Sequence, residues 1–129
     1  MASEVPTVYV VDDEPDVLRA LSRLLRSEGL QVRTFDDACN FIAHVDATHR
    51  GCVVLDLSMP ELDGLAVQRL LAEKGIRLPV VFLSGNADAV ANASAMSQGA
   101  SAFLSKPVDA EVLLDAVRAA IAGTPGKPA

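Results

Sequence analysis

Asp12-Asp13, the single acid Asp56, the hydroxyl of Ser84 and the ammonium of Lys106 are the residue types in this chain from which a reactive site could be built. Each ends a short apolar run. Val53-Val54-Leu55 lifts Asp56 to the carboxyl end of a strand that Pro60 cannot continue, residues 5–11 are largely apolar and β-branched up to Asp12, residues 80–84 are apolar until the last, and residues 100–105 lead to Lys106. Carboxylates gathered within a few ångströms repel by something like 4 kcal/mol per close pair at a surface-like dielectric, a heavy load for a domain whose whole stability is roughly 5–15 kcal/mol. Oxygen-only ligands at a rim open to water suit a hard divalent cation, Mg²⁺ (or Mn²⁺), which keeps several waters and uses one or two carboxylates with phosphate oxygens. An acid so placed can also attack a phosphoryl group and form an aspartyl phosphate, with metal and lysine balancing charge on the phosphoryl oxygens. Asp56, standing alone, is the better acceptor, and Asp12-Asp13 the better metal site; Ser84 can donate to a phosphoryl oxygen. No His or Glu adjoins these positions as a hydrolytic base, so the acyl phosphate is expected to persist, as a signal rather than a turnover.

The elements that must position these residues alternate. Pro15 suits a first helical turn, and Val17, Leu18, Leu21, Leu24 and Leu25 recur at helical spacing up to Gly29. A strand at 30–35 is followed by Asp36 and Asp37, candidate caps for a helix bearing Ala38, Phe41, Ile42 and Val45. The third strand is 52–56. Its helix starts near Asp63-Gly64-Leu65 and stops at Gly75; residues 87–98 form a featureless fourth helix rich in Ala and Ser, and Asp109 caps a last helix with Val112, Leu113, Ala116, Val117, Ala120 and Ile121. Strands that read as continuous apolar runs between helices imply an α/β fold, a doubly wound five-stranded parallel sheet covered on both faces, for which the flavodoxin-like order 2-1-3-4-5 is natural. That order makes strands 1, 3, 4 and 5 neighbours, so their carboxyl ends form one rim at the switch point.

Composition bounds the rest. The 129 residues make one domain, placed at 1–123, with 124–129 as a tail or the start of a linker. A formal charge of −6 with scattered Lys and Arg argues against nucleic acid being contacted by this chain itself. No apolar run approaches a membrane span and no signal-peptide pattern opens the chain, so a soluble protein of the cytoplasm is expected. Cys39 and Cys52 lack metal or redox spacing and are expected as reduced core residues; His44 and His49 are expected at the surface, away from the rim.

Val10-Val11-Asp12-Asp13-Glu14, Val54-Leu55-Asp56 with Met59-Pro60 and Gly64, Phe82-Leu83-Ser84-Gly85, and Phe103-Leu104-Ser105-Lys106-Pro107 together resemble the receiver domain of two-component response regulators, from about Thr7 to Ala122. The resemblance implies Asp56 as phosphoacceptor, Asp13 as direct Mg²⁺ ligand, Asp12 as a ligand through water and the Ser58 carbonyl as a further ligand. It also implies Ser84 as the switch hydroxyl, Lys106 as the phosphate-facing ammonium, Phe103 as the switch aromatic and a cis bond before Pro107. The donor would be a sensor histidine kinase or phosphotransfer protein. The output surface would be the fourth helix, fifth strand and fifth helix, which offers a route to a homodimer. The stretch from Gly75 to Pro79 and on into Ser84-Gly85-Asn86 is similar to receivers of nitrogen-fixation-type regulators, which precede a helix-turn-helix, and Ser58 and Asn86 flank the path of attacking water. Two other readings stand beside this one. An aspartate-nucleophile phosphatase of the haloacid dehalogenase type would need a second acid two residues after the nucleophile, where this chain has Ser58; a receiver signalling by protein binding alone would not use the pocket.

Overall fold

Two runs are apolar enough to be buried on both sides, and they lie at the centre of a sheet: β3 (Gly51–Asp56) and β4 (Val80–Ser84) are buried at every residue. Around them the computed structural model, which describes residues 6–57, 59, 62–85 and 89–123, places β1 (Thr7–Val11), β2 (Gln31–Phe35) and β5 (Ala102–Ser105). All neighbours pair in parallel in the order β2-β1-β3-β4-β5, as the alternation of elements implied. The pleat sorts the side chains. Tyr9, Val11, Val53, Leu55 and Phe82 face one layer, covered by α2 (Ala38–His44), α3 (Gly64–Glu73) and α4 (Ala89–Ser97). Val8, Val10, Val32, Cys52, Val54, Val81 and Leu83 face the other, covered by α1 (Pro15–Ser27) and α5 (Ala110–Ala122). Each fully buried Leu, Val or Phe contributes about 1.5–3 kcal/mol toward ordering the chain.

The helix ends follow the local chemistry. Asp37, Asp63 and Asp109 cap α2, α3 and α5 with side-chain oxygens that accept backbone N–H groups, and Pro15 opens α1. Of the two candidate caps before α2, the chain uses Asp37. β5 begins two residues later than its apolar run suggests, because the Ala100 amide closes the end of α4 on the Ala95 carbonyl at 3.0 Å. Residues 87 and 88, the expected start of the fourth helix, lie outside the described residues, as do Val5 and the tail at 124–129. That same Ala95 carbonyl accepts the buried Gln68 Nε2 at 3.0 Å, tying the last turns of α4 to α3.

The two cysteines part company. Cys52 is buried in β3, and burial pushes its thiol up to about 12, whereas Cys39 is exposed on the first turn of α2, against the expectation of a core residue. A seven-residue helix has too narrow a buried stripe for Cys39, and Ala38 and Phe41 fill it instead. Because folded Cys52 keeps its proton above the unfolded thiol value of 9.0 while the unfolded chain loses it, stability falls as pH rises past 9, at roughly 1.4 kcal/mol per pH unit from this group. Iodoacetamide at pH 8 is therefore expected to modify Cys39 alone, with Cys52 reacting as unfolding sets in at alkaline pH; two fast-reacting thiols at pH 8 would contradict the burial of β3.

Candidate functional site

The sheet ladder does not stop at the strand ends, and this fixes the rim. The Asp12 amide donates to the Phe35 carbonyl at 3.1 Å, the Leu57 amide to Leu83 at 2.9 Å and the Lys106 amide to Ser84 at 2.8 Å. Each bond clamps the backbone of, or beside, a residue singled out from the sequence. In register, Val11 lies beside Leu55, Asp56 beside Leu83 and Ser84 beside Ser105, so the acids, the hydroxyl and the ammonium come to one edge.

Asp12, Asp13 and Asp56 each offer a carboxylate oxygen within 4.8 Å of the others. Asp12 and Asp56 are buried, while Asp13 is exposed. One Asp12 oxygen accepts the Glu14 amide at 2.9 Å; the other lies 3.2 Å from Lys106 Nζ, which is 3.6 Å from Asp56 Oδ1. Burial disfavours the Lys106 ammonium, but its bond to Asp12 and the charges of Asp12, Asp56 and Glu14 outweigh that, and its pKa is raised above the ordinary lysine value. Lys106 faces Asp12, Asp56 and Glu14, with Asp13 beside them, an excess of negative charge that a hard cation would offset: among the described residues the three convergent aspartates are an all-oxygen donor set for such an ion.

Ser84 is buried at the end of β4. Phe103, half-buried in β5, pairs in register with Phe82, their ring centroids 5.9 Å apart. The Lys106–Pro107 peptide bond is cis. Ser58 and Asn86 fall outside the described residues. Gly64 opens α3 against the rim: its amide donates to the Leu57 carbonyl at 2.9 Å, and a Cβ there would lie 2.8 Å from the Phe82 ring and 3.1 Å from the Asp56 carbonyl. Sequence reasoning gave Glu14 no part, yet it is a fourth acid close enough to act on Lys106, so a carboxylate does adjoin the rim. Its position directly after Asp13 was the available signal. A small cavity beside Asp13, about 130 Å³ and walled by Asp36, Asp37, Cys39, Met59 and Leu62, was also not foreseen, because it joins the ends of β2 and β3 across α2.

His44 and His49 do stand away from this rim, and they are partly rather than fully exposed. Both are half-buried at the other end of the sheet, packed on Tyr9 with ring centroids 6.2 and 6.1 Å from it. The shortness of α2 leaves Tyr9 uncovered there, and the two imidazoles fill the gap.

A family model described as response regulator receiver domain matches residues 8–118. The chain is 50% identical over 117 residues to the transcriptional regulatory protein TdiR of Thauera aromatica, covering 90% of this chain and 51% of that protein. It is 44% identical to the response regulator protein TmoT of Ectopseudomonas mendocina, covering 94% and 55%. Among solved structures, the response regulator StyR superposes with a TM-score of 0.86 at 40% identity, over 91% of this chain and 59% of that one. FixJ-N superposes at 0.85 and 31%, over 95% and 97%. The chain belongs to the response regulator receiver family, signalling modules of two-component systems whose general property is phosphorylation of an aspartate by a kinase. It spans about half the length of the curated relatives it matches. Among the described residues no helix is long and apolar enough to cross a membrane.

Proposed function

We propose that Asp56 is the aspartate that takes the phosphoryl group, with Asp12, Asp13, Asp56 and the Ser58 carbonyl holding Mg²⁺ (or Mn²⁺), and with Ser84 and Lys106 receiving the phosphoryl oxygens. The observation that carries this is Lys106 Nζ, placed 3.2 and 3.6 Å from the Asp12 and Asp56 carboxylates in a cluster of acids it cannot neutralise alone. When bound, the cation would supply charge neutralisation of the phosphoryl oxygens during transfer. The Asp56 carboxylate attacks phosphorus, the bond to the donor's imidazole nitrogen breaks, and the imidazole leaves with its electron pair and takes up a proton. The donor is a sensor histidine kinase or phosphotransfer protein; the chain is an acceptor that assists its own phosphorylation and dephosphorylation, not a turnover enzyme. Phe103, on the strand beside Ser84, relays the change to the surface of α4, β5 and α5; the likeness to the transcriptional regulatory protein TdiR, of which this chain covers 51%, supports control of transcription as the output.

Incubation with Mg²⁺ and a small phosphodonor is expected to add one phosphoryl group by intact mass, with borohydride reduction and peptide mapping locating it at Asp56. A label mapped to any other residue would overturn the assignment. On the output face Val90, Met96 and Val112 are the exposed large apolar side chains of α4 and α5. A packed rather than salt-bridged homodimer is therefore expected, seen as an earlier size-exclusion peak on adding beryllium fluoride with Mg²⁺. An unchanged elution volume would refute phosphorylation-driven dimers.

A further inference from the structure

At the end of the sheet opposite the acidic rim, His44, the last residue of α2, and His49 bring their rings to 5.2 Å centroid to centroid. These are the two histidines of the chain. From this geometry we infer a second metal site, in which His44 and His49 ligate a borderline transition-metal cation (Zn²⁺, Ni²⁺ or Cu²⁺) with water completing the coordination shell.

The separation of the ring centres accommodates such an ion. With metal–nitrogen bonds of about 2.0–2.1 Å and the imidazole centroid about 1.2 Å behind its nitrogen, two rings at a tetrahedral angle stand about 5.2 Å apart. The turn between them is already built. His49's amide donates to the Asp46 carbonyl at 3.1 Å and Thr48's amide to Asp46 Oδ1 at 2.8 Å, so the loop is fixed around Asp46. Asp46 Oδ1 in turn lies 3.0 Å from His49 Nδ1. That nitrogen has two options: it can accept the Asp46 amide, also at 3.0 Å, or donate its own proton to the Asp46 carboxylate. The second tautomer leaves the lone pair on Nε2 and makes the carboxylate–histidine–metal arrangement that orients an imidazole ligand and raises its basicity. The Thr48 hydroxyl also donates to Asp46 Oδ1, so the supporting carboxyl is held in place.

The second imidazole, His44, closes α2 and is half-buried against Tyr9 beside the first. Both rings border an open groove with Thr7, Tyr9, Gln31 and Arg33, through which an ion and its waters can enter. Arg33 opposes a cation, so the affinity is moderate rather than tight. Neither ligand belongs to the acidic rim, and the site stands whether or not Asp56 is the phosphoacceptor.

The chain supplies its own probe, because Tyr9 is its one tyrosine, there is no tryptophan, and the Tyr9 ring touches both histidine rings. The untagged chain, with Cys39→Ser to remove the exposed thiol and Mg²⁺ in excess at the rim, is titrated with Cu²⁺. Tyrosine emission is expected to quench with one-to-one stoichiometry, Zn²⁺ and Ni²⁺ competing. His44→Gln and His49→Gln are each expected to weaken binding tenfold or more, Asp46→Asn by about tenfold, and Arg33→Gln to tighten it. An unchanged midpoint in either histidine variant, or loss of quenching in Asp56→Asn, overturns the site. Should a variant unfold, the imidazole NMR signals of the unaltered chain decide: Zn²⁺ must shift both histidines together, and a shift of one or neither overturns the proposal.

Discussion

Asp56→Asn is expected to abolish phosphoryl acceptance and, at the same time, to raise the melting temperature. Among the described residues, the substitution removes the attraction to Lys106 Nζ at 3.6 Å and the repulsions from Asp12 and Asp13, whose oxygens lie within 4.8 Å. At a surface-like dielectric each such pair is worth about 4 kcal/mol, and since Asp13 is open to solvent the surviving difference is about 1–3 kcal/mol in favour of the variant. At roughly 4 °C per kcal/mol for a domain of this size, the shift is easily read by calorimetry. Mg²⁺ should then stabilise the parent more than the variant, because it offsets a repulsion the variant no longer has. A variant that melts below the parent without metal would sink the view that this rim is electrostatically frustrated, and phosphorylation of the variant would sink Asp56 as acceptor.

Gly51→Ala is expected to be the most damaging of the conservative changes. Gly51 opens β3 at φ +129°, a backbone conformation that side chains rarely adopt, and a Cβ there would lie 1.9 Å from the Thr7 carbonyl oxygen and 2.6 Å from its nitrogen. Thr7 is its register partner on β1 and is held by its own amide bond to the Arg50 carbonyl at 3.0 Å, so the obstacle is ladder backbone that cannot swing aside. Strain and overlap together should remove about 4 kcal/mol or more, enough to leave much of the chain unfolded at 37 °C. Gly75→Ala is the matched control. At φ +72° with nothing within 4 Å of its Cβ, it carries only the left-handed strain of about 1–2 kcal/mol. Equal losses in the two variants would mean that the contact with Thr7 does not matter.

Much of this was legible in the residues because both the strands and the rim obey simple rules. β3 and β4 read as unbroken apolar runs since nothing on either face meets water, and Asp12, Asp56, Ser84 and Lys106 could be gathered because parallel strands bring carboxyl ends together. What could not be read was which of two adjacent acids turns inward. Asp12 is buried and bound to Lys106 while Asp13 is open, a distinction made by the Glu14 amide and by a lysine 94 residues away. The exposure of Cys39 and the half-burial of His44 and His49 escaped for a related reason: they depend on how short α2 is relative to the strands it covers, and periodicity marks a helix far better than it marks its end. Gly51 bears no mark in the sequence, because its constraint comes from a neighbouring strand and not from its own loop.

The hydrogen bond between Gln68 and the Ala95 carbonyl has a mechanical consequence. It sits near the far end of α4, and the carbonyl it grips also receives the amide that closes the helix, so that end is a fixed pivot. The near end of α4 follows the reactive rim in sequence. Were phosphoryl acceptance to push that end, the rod would swing about its anchored foot, most at Val90 and least at Ala95, and a partner docked there would sense an angle rather than a distance.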